Sequence, residues 1–118
     1  MFITDKGYMF NTTNSTLYWS NKTKIEYLER RIIIYCISYY ELNDTLTDDN
    51  TYNIISKQLE RYINKYPKTF KKTKYYYVFK DFISSTGFDI VTKLNKTDKK
   101  YLYTITAYML ERKHKSET

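Results

Sequence analysis

Glycine and proline are almost missing from this chain, with 2 and 1 among 118 residues. Two glycines cannot build a GxGxxG turn or a phosphate-cradling P-loop, both of which need glycines at several fixed positions. A flexible Gly-rich linker is excluded as well, so long elements joined by polar loops are expected within one domain, 1–118. Cysteine and histidine occur once each. One thiol cannot close an internal disulfide, and a lone Cys with a lone His cannot complete a structural zinc site. Cys36 lies in the apolar run Ile32-Ile33-Ile34-Tyr35-Cys36-Ile37 and reads as a small core hydrophobe. His114 sits in a charged tail and reads as an exposed side chain. No stretch reaches the ~18 apolar residues of a membrane span. The opening Met1-Phe2-Ile3-Thr4-Asp5-Lys6 carries an acid and no cleavable apolar block, which argues against a signal peptide and for a cytoplasmic protein.

Lys, Ile, Asn and Tyr are heavily used, whereas Ala107 is the lone alanine. All four favoured residues have AT-rich codons, which suggests an AT-rich bacterium or one of its phages. The chain carries 20 basic and 13 acidic residues, a net charge of +7. That balance suits nucleic acid or an acidic protein surface. Codon bias toward lysine is the blander source of the same charge.

Apolar periodicity predicts a mainly α fold. Residues 1–22 hold two short apolar-aromatic runs around Asn11-Thr12-Thr13-Asn14-Ser15, a pattern for a short β-hairpin or an extended arm. Thr23-Lys24-Ile25-Glu26 fits a capping box. Beyond it Ile25, Leu28, Ile32, Tyr35, Cys36 and Tyr39 mark one face of a helix over 23–42. The extra isoleucines at 33 and 34 imply that this helix is covered on more than one side. After a turn at 43–47, Thr47 or Asp48 can cap a second helix over 48–66, whose stripe is Tyr52, Ile55, Leu59, Tyr62, Ile63 and Tyr66. Pro67 ends it. The short turn makes the pair an antiparallel hairpin. An irregular basic segment follows, with Gly87 marking a turn. Thr97-Asp98 then caps a C-terminal helix over 97–113.

Between 61 and 80 stand seven basic residues and no acid: Arg61, Lys65, Lys68, Lys71, Lys72, Lys74 and Lys80. Tyr62, Tyr66, Phe70, Tyr75, Tyr76, Tyr77 and Phe79 are interleaved. Lysines neutralise phosphates and exposed rings such as Tyr75 and Tyr77 stack on unpaired bases, so direct binding of single-stranded nucleic acid is one reading. The structural alternative buries Tyr62, Tyr66 and alternate residues of 75–79.

The stretch Ser38 to Asn53 ends one helix in Tyr39-Tyr40, turns through Asn43-Asp44, and opens the next on Asp49-x-x-Tyr52-Asn53. This resembles the N-terminal subdomain of NAD-dependent DNA ligases. Arg30 through Asp89 is still more similar to small ligase-like proteins of phages and prophages of low-GC Gram-positive bacteria, through Tyr66-Pro67, Phe79-Lys80-Asp81-Phe82 and Ser85-Thr86-Gly87-Phe88 as well. The ligase-like region is therefore 23–89. The resemblance implies that Tyr39, Tyr40, Asp49, Tyr52 and Asn53 grip the nicotinamide mononucleotide half of NAD, by stacking on its ring and hydrogen-bonding its ribose. Asn53 stands where the ligases have a second aspartate. Two other readings of these residues stay open: Asp49 as a helix cap with Tyr39 and Tyr52 packing the hairpin end, or a patch reused to bind a protein.

Ligation needs a lysine in Lys-x-Asp-Gly, and neither Gly7 nor Gly87 follows such a triplet. The acidic cluster Asp44, Asp48 and Asp49 lacks the spacing of a calcium loop, and capping explains it better. A non-enzyme is therefore expected, with no required cofactor and no metal. The expected function is a non-catalytic binding protein of phage or prophage origin. It would inhibit or modulate a host or defence macromolecule, such as a CRISPR-type complex. An NMN- or NAD-binding module is the alternative, and direct nucleic-acid binding the third.

Overall fold

A computed structural model describes residues 19–82 and 87–117 and is mainly α. Among the described residues there are six helices and no strand: α1 Asn21–Tyr40, α2 Asp49–Lys65, α3 Pro67–Phe70, α4 Tyr76–Phe79, α5 Gly87–Lys93 and α6 Lys96–Glu117. The hairpin or arm expected over 1–22 lies outside the described residues as far as residue 18. Asn21 and Lys22 already belong to α1.

The first helix starts earlier than Thr23. Ser20 is its cap, with Oγ accepting the Thr23 N–H at 3.1 Å. A hydroxyl one turn upstream satisfies the same kind of orphan donor and adds a helical turn. Glu26, expected to close a capping box, instead accepts the Lys74 backbone N–H at 2.8 Å and pairs with Lys22 at 3.3 Å. Ile32, Ile33 and Ile34 are all buried because α1 packs against α2, α5 and α6 on different sides. Each buried isoleucine contributes about 1.5–3 kcal/mol relative to exposure. The helix covered all round is thus the centre of the domain.

Asp48 caps α2, its Oδ1 accepting the Thr51 N–H at 2.7 Å. Asp49 is therefore the first helical residue and not the cap that one reading made it. At the other end Tyr66 leaves the helical region (φ −128°, ψ 60°), as a residue before proline does. Pro67 opens α3, where its missing N–H costs nothing.

The segment expected to be irregular holds α3 and α4, and its burial does not alternate. Phe70, Thr73, Tyr75, Val78 and Phe79 are buried beneath the solvated lysines. Gly87 is the first residue of α5, and the residues leading into it, 83–86, lie outside the described residues. The last helix begins at Lys96, with Asn95 Oδ1 accepting the Asp98 N–H at 2.7 Å, one cap earlier than Thr97-Asp98.

Candidate functional site

The loop between α1 and α2 is built to turn sharply. Asn43 has φ 54°, the left-handed region that asparagine tolerates and β-branched residues resist. The Glu41 and Leu42 N–H groups both reach the Ile37 carbonyl, and the Asp44 N–H reaches Ser38 O at 2.9 Å. These bonds satisfy carbonyls that a helix end otherwise leaves bare.

Helix α6 holds this loop from outside. His114 Nε2 lies 2.7 Å from Asp44 Oδ2, and Lys113 Nζ donates to Thr45 O at 2.7 Å. Lys113 also stands 3.9 Å from Asp44 Oδ1. The hydrogen bond from His114 first, then that from the Thr45 N–H, hold the Asp44 carboxyl below its usual range.

Behind the loop lies a cavity of about 260 Å³. Tyr35, Cys36, Ser38, Tyr39 and Tyr40 line it from α1, Thr45, Leu46 and Thr47 from the loop, and Asp48, Asp49 and Tyr52 from the α2 start. The Tyr39 and Tyr40 rings meet edge to face, with centroids 4.8 Å apart and planes at 87°. Tyr39 is 59 % exposed and stands free of the core, so it does not pack the hairpin end as the structural reading had it. Tyr52 is half-buried, and its hydroxyl lies 3.7 Å from Cys36 Sγ.

Burial keeps the interior of this cavity neutral. It raises the Tyr52 phenol above its ordinary value and pushes the Cys36 thiol up to about 11. The rim carries the exposed carboxylates Asp48 and Asp49, and the Thr51 N–H bond holds Asp48 below the usual carboxylate value. Tyrosine walls, a neutral floor and two carboxylates at the mouth suit a flat ring carrying positive charge and hydroxyl donors.

Of the five residues expected to bind a mononucleotide, Tyr39, Tyr40, Asp49 and Tyr52 come together here. Asn53 is exposed and lies outside the cavity lining. The basic set is solvated: Arg61 and Lys65 late in α2, Lys68 on α3, and Lys71, Lys72 and Lys74 after it. Two of its partners are corrected. Tyr75 is 1 % exposed and cannot stack on a base, since the turn into α4 directs it into the core. Tyr77 is half-buried, donating to Asp98 Oδ2 at 2.6 Å and accepting the Asn95 N–H at 3.1 Å.

Sequence reasoning missed Tyr35, Cys36, Ser38, Thr45, Leu46, Thr47 and Asp48 as lining residues. The first two were findable, one helical turn before the tyrosine pair. Lys113 and His114 carry no signal, because some 70 residues separate them from Asp44 in the chain. No family model, no curated protein and no solved structure matches this chain.

Proposed function

We propose that this is a non-catalytic binding protein whose pocket at the α1–α2 end takes the nicotinamide mononucleotide half of NAD. One observation carries the reading: four residues singled out by resemblance to the ligase subdomain, Tyr39, Tyr40, Asp49 and Tyr52, line one cavity. Its volume of about 260 Å³ falls just under the ~300–1,000 Å³ usual for small-molecule sites. A mononucleotide ring and ribose fit that scale, with the adenylate half left outside. The oxidised nicotinamide ring is cationic, and tyrosine faces attract such a ring. Asp48 and Asp49 offer acceptor-only oxygens to ribose hydroxyls. No adenylation follows, because the chain has no Lys-x-Asp-Gly lysine.

Calorimetry with NMN, NAD and NADH tests this. Oxidised ligands should bind about 2- to 30-fold more tightly than the reduced one, the ratio that ~0.5–2 kcal/mol of cation–π attraction gives. Tyr39→Ala and Asp49→Asn should each weaken NMN. Absence of heat with millimolar NMN and NAD would remove the reading.

A second reading has its own observation. Tyr39 and Tyr40 are both exposed and meet edge to face at the hairpin end. Such a patch suits a protein partner, and the base composition and phage-type resemblance support a host or defence complex of the CRISPR type. A near-stoichiometric partner lost on Tyr39→Asp is the expected result of a pull-down from a plausible host. Recovery of no such partner would count heavily against it.

A further inference from the structure

With Tyr75 buried and Tyr77 tied to Asp98, the aromatic rings open to solvent beside the basic segment come from α6. Tyr101 is 56 % exposed and Tyr108 57 %. They stand seven residues apart, two helical turns, and so share one face about 10 Å apart along the axis. Each carries a cation on its ring. Lys74 Nζ lies 5.9 Å from the Tyr101 centroid, reaching across from the segment after α3. The Arg112 guanidinium lies 5.8 Å from the Tyr108 centroid, and its Nη1 donates to the Tyr108 hydroxyl at 3.2 Å.

We infer that this outer face of α6 is a docking strip for single-stranded nucleic acid, with bases stacking on Tyr101 and Tyr108 and phosphates meeting Lys74, Lys100, Arg112 and Lys115. Lys100, Arg112 and Lys115 are all exposed. The acids beside Lys74 are already engaged, Asp98 by the Tyr77 hydroxyl and Glu26 by Lys22 and the Lys74 N–H. Asp98 and Glu111 are the two carboxylates on or beside this face among the described residues of α6. Between the rings stands Thr104, and before them Thr97, both exposed. A protein-binding centre would set an apolar anchor there with a polar rim; here each ring is itself flanked by charge. Stacking demands unpaired bases, which favours a single strand over a duplex.

The strip shares no residue with the α1–α2 pocket, so its test stands apart from NMN binding. The test is fluorescence anisotropy of a short labelled oligothymidine with the full chain. Affinity should fall steeply between about 50 and 200 mM salt as counterions compete for the phosphates. Tyr101→Ala and Tyr108→Ala should each weaken binding about 5- to 150-fold, whereas Tyr101→Phe should retain it. Both tyrosines are exposed, and circular dichroism will verify that the variants keep their helices. Three results would overturn the proposal: no binding at low salt, unchanged binding by the Tyr101→Ala/Tyr108→Ala double variant, or equal affinity for a duplex of the same length.

Discussion

Glu29 is 0 % exposed and sits where α1 meets the segment before α4. Its Oε2 lies 2.9 Å from the Thr73 hydroxyl, which is also 2.7 Å from Phe70 O. One hydroxyl proton cannot serve both oxygens. The Thr73 hydroxyl therefore satisfies Glu29 only in part, and Glu29 Oε1 has no hydrogen-bond partner among the described residues. Burial raises the Glu29 pKa from 4.5 to about 8, against the pull of the Thr73 hydroxyl and with help from Glu26. The folded state thus holds an extra proton between those values. Stability should fall as pH rises from about 4.5 to about 8, at up to ~1.4 kcal/mol per pH unit. Urea unfolding across that window should show the slope in the parent and a flatter profile in Glu29→Gln. Asp44 and Asp48 act in the opposite sense: their lowered values give stability above about 3.8 that is lost in stronger acid. Asn43 makes a second residue-scale prediction. Asn43→Val should cost about 1–2 kcal/mol, and Asn43→Gly should be neutral or stabilising, as read by denaturant midpoints.

At the scale of elements, caps and stops explain where helices begin and end. Ser20→Ala and Asp48→Ala should each cost about 1 kcal/mol in unfolding measurements. Asp49→Asn should cost less than ~0.5 kcal/mol while weakening NMN, which separates capping from binding in two adjacent carboxylates. The hairpin itself was legible, because the stripes through Ile25–Tyr39 and Tyr52–Tyr66 have a helical period over many residues. Helix starts moved where two residues of capping type compete, as with Ser20 and Thr23 in α1 or Asn95 and Thr97 in α6. The helices α3 and α4 were not legible. Four residues make one turn, too short for periodicity, and they owe their form to the core beneath them.

Across the whole molecule, α1 is the shared partner of α2, α3, α5 and α6. Ile33→Ala should therefore cost about 2–5 kcal/mol, a large part of the ~5–15 kcal/mol that a domain of this size commands. Four of the pocket's lining residues, Tyr39, Tyr40, Asp49 and Tyr52, were legible in sequence because they sit on two helices joined by a short loop. Its outer brace was not, since Lys113 and His114 reach Asp44 and Thr45 only through the tertiary arrangement.

The central position of α1 also has a consequence for how the protein breathes. A helix wrapped by its neighbours cannot expose its amides by fraying or by releasing one flank. Exchange of the Ile32, Ile33 and Cys36 amides with deuterium should proceed only through complete unfolding, whereas α6 amides near Tyr108 should exchange through small local openings. Denaturant should then accelerate the first group with the full unfolding slope and leave the second nearly unchanged. The slowest protons of this protein would thereby report its global stability directly, without any denaturation curve.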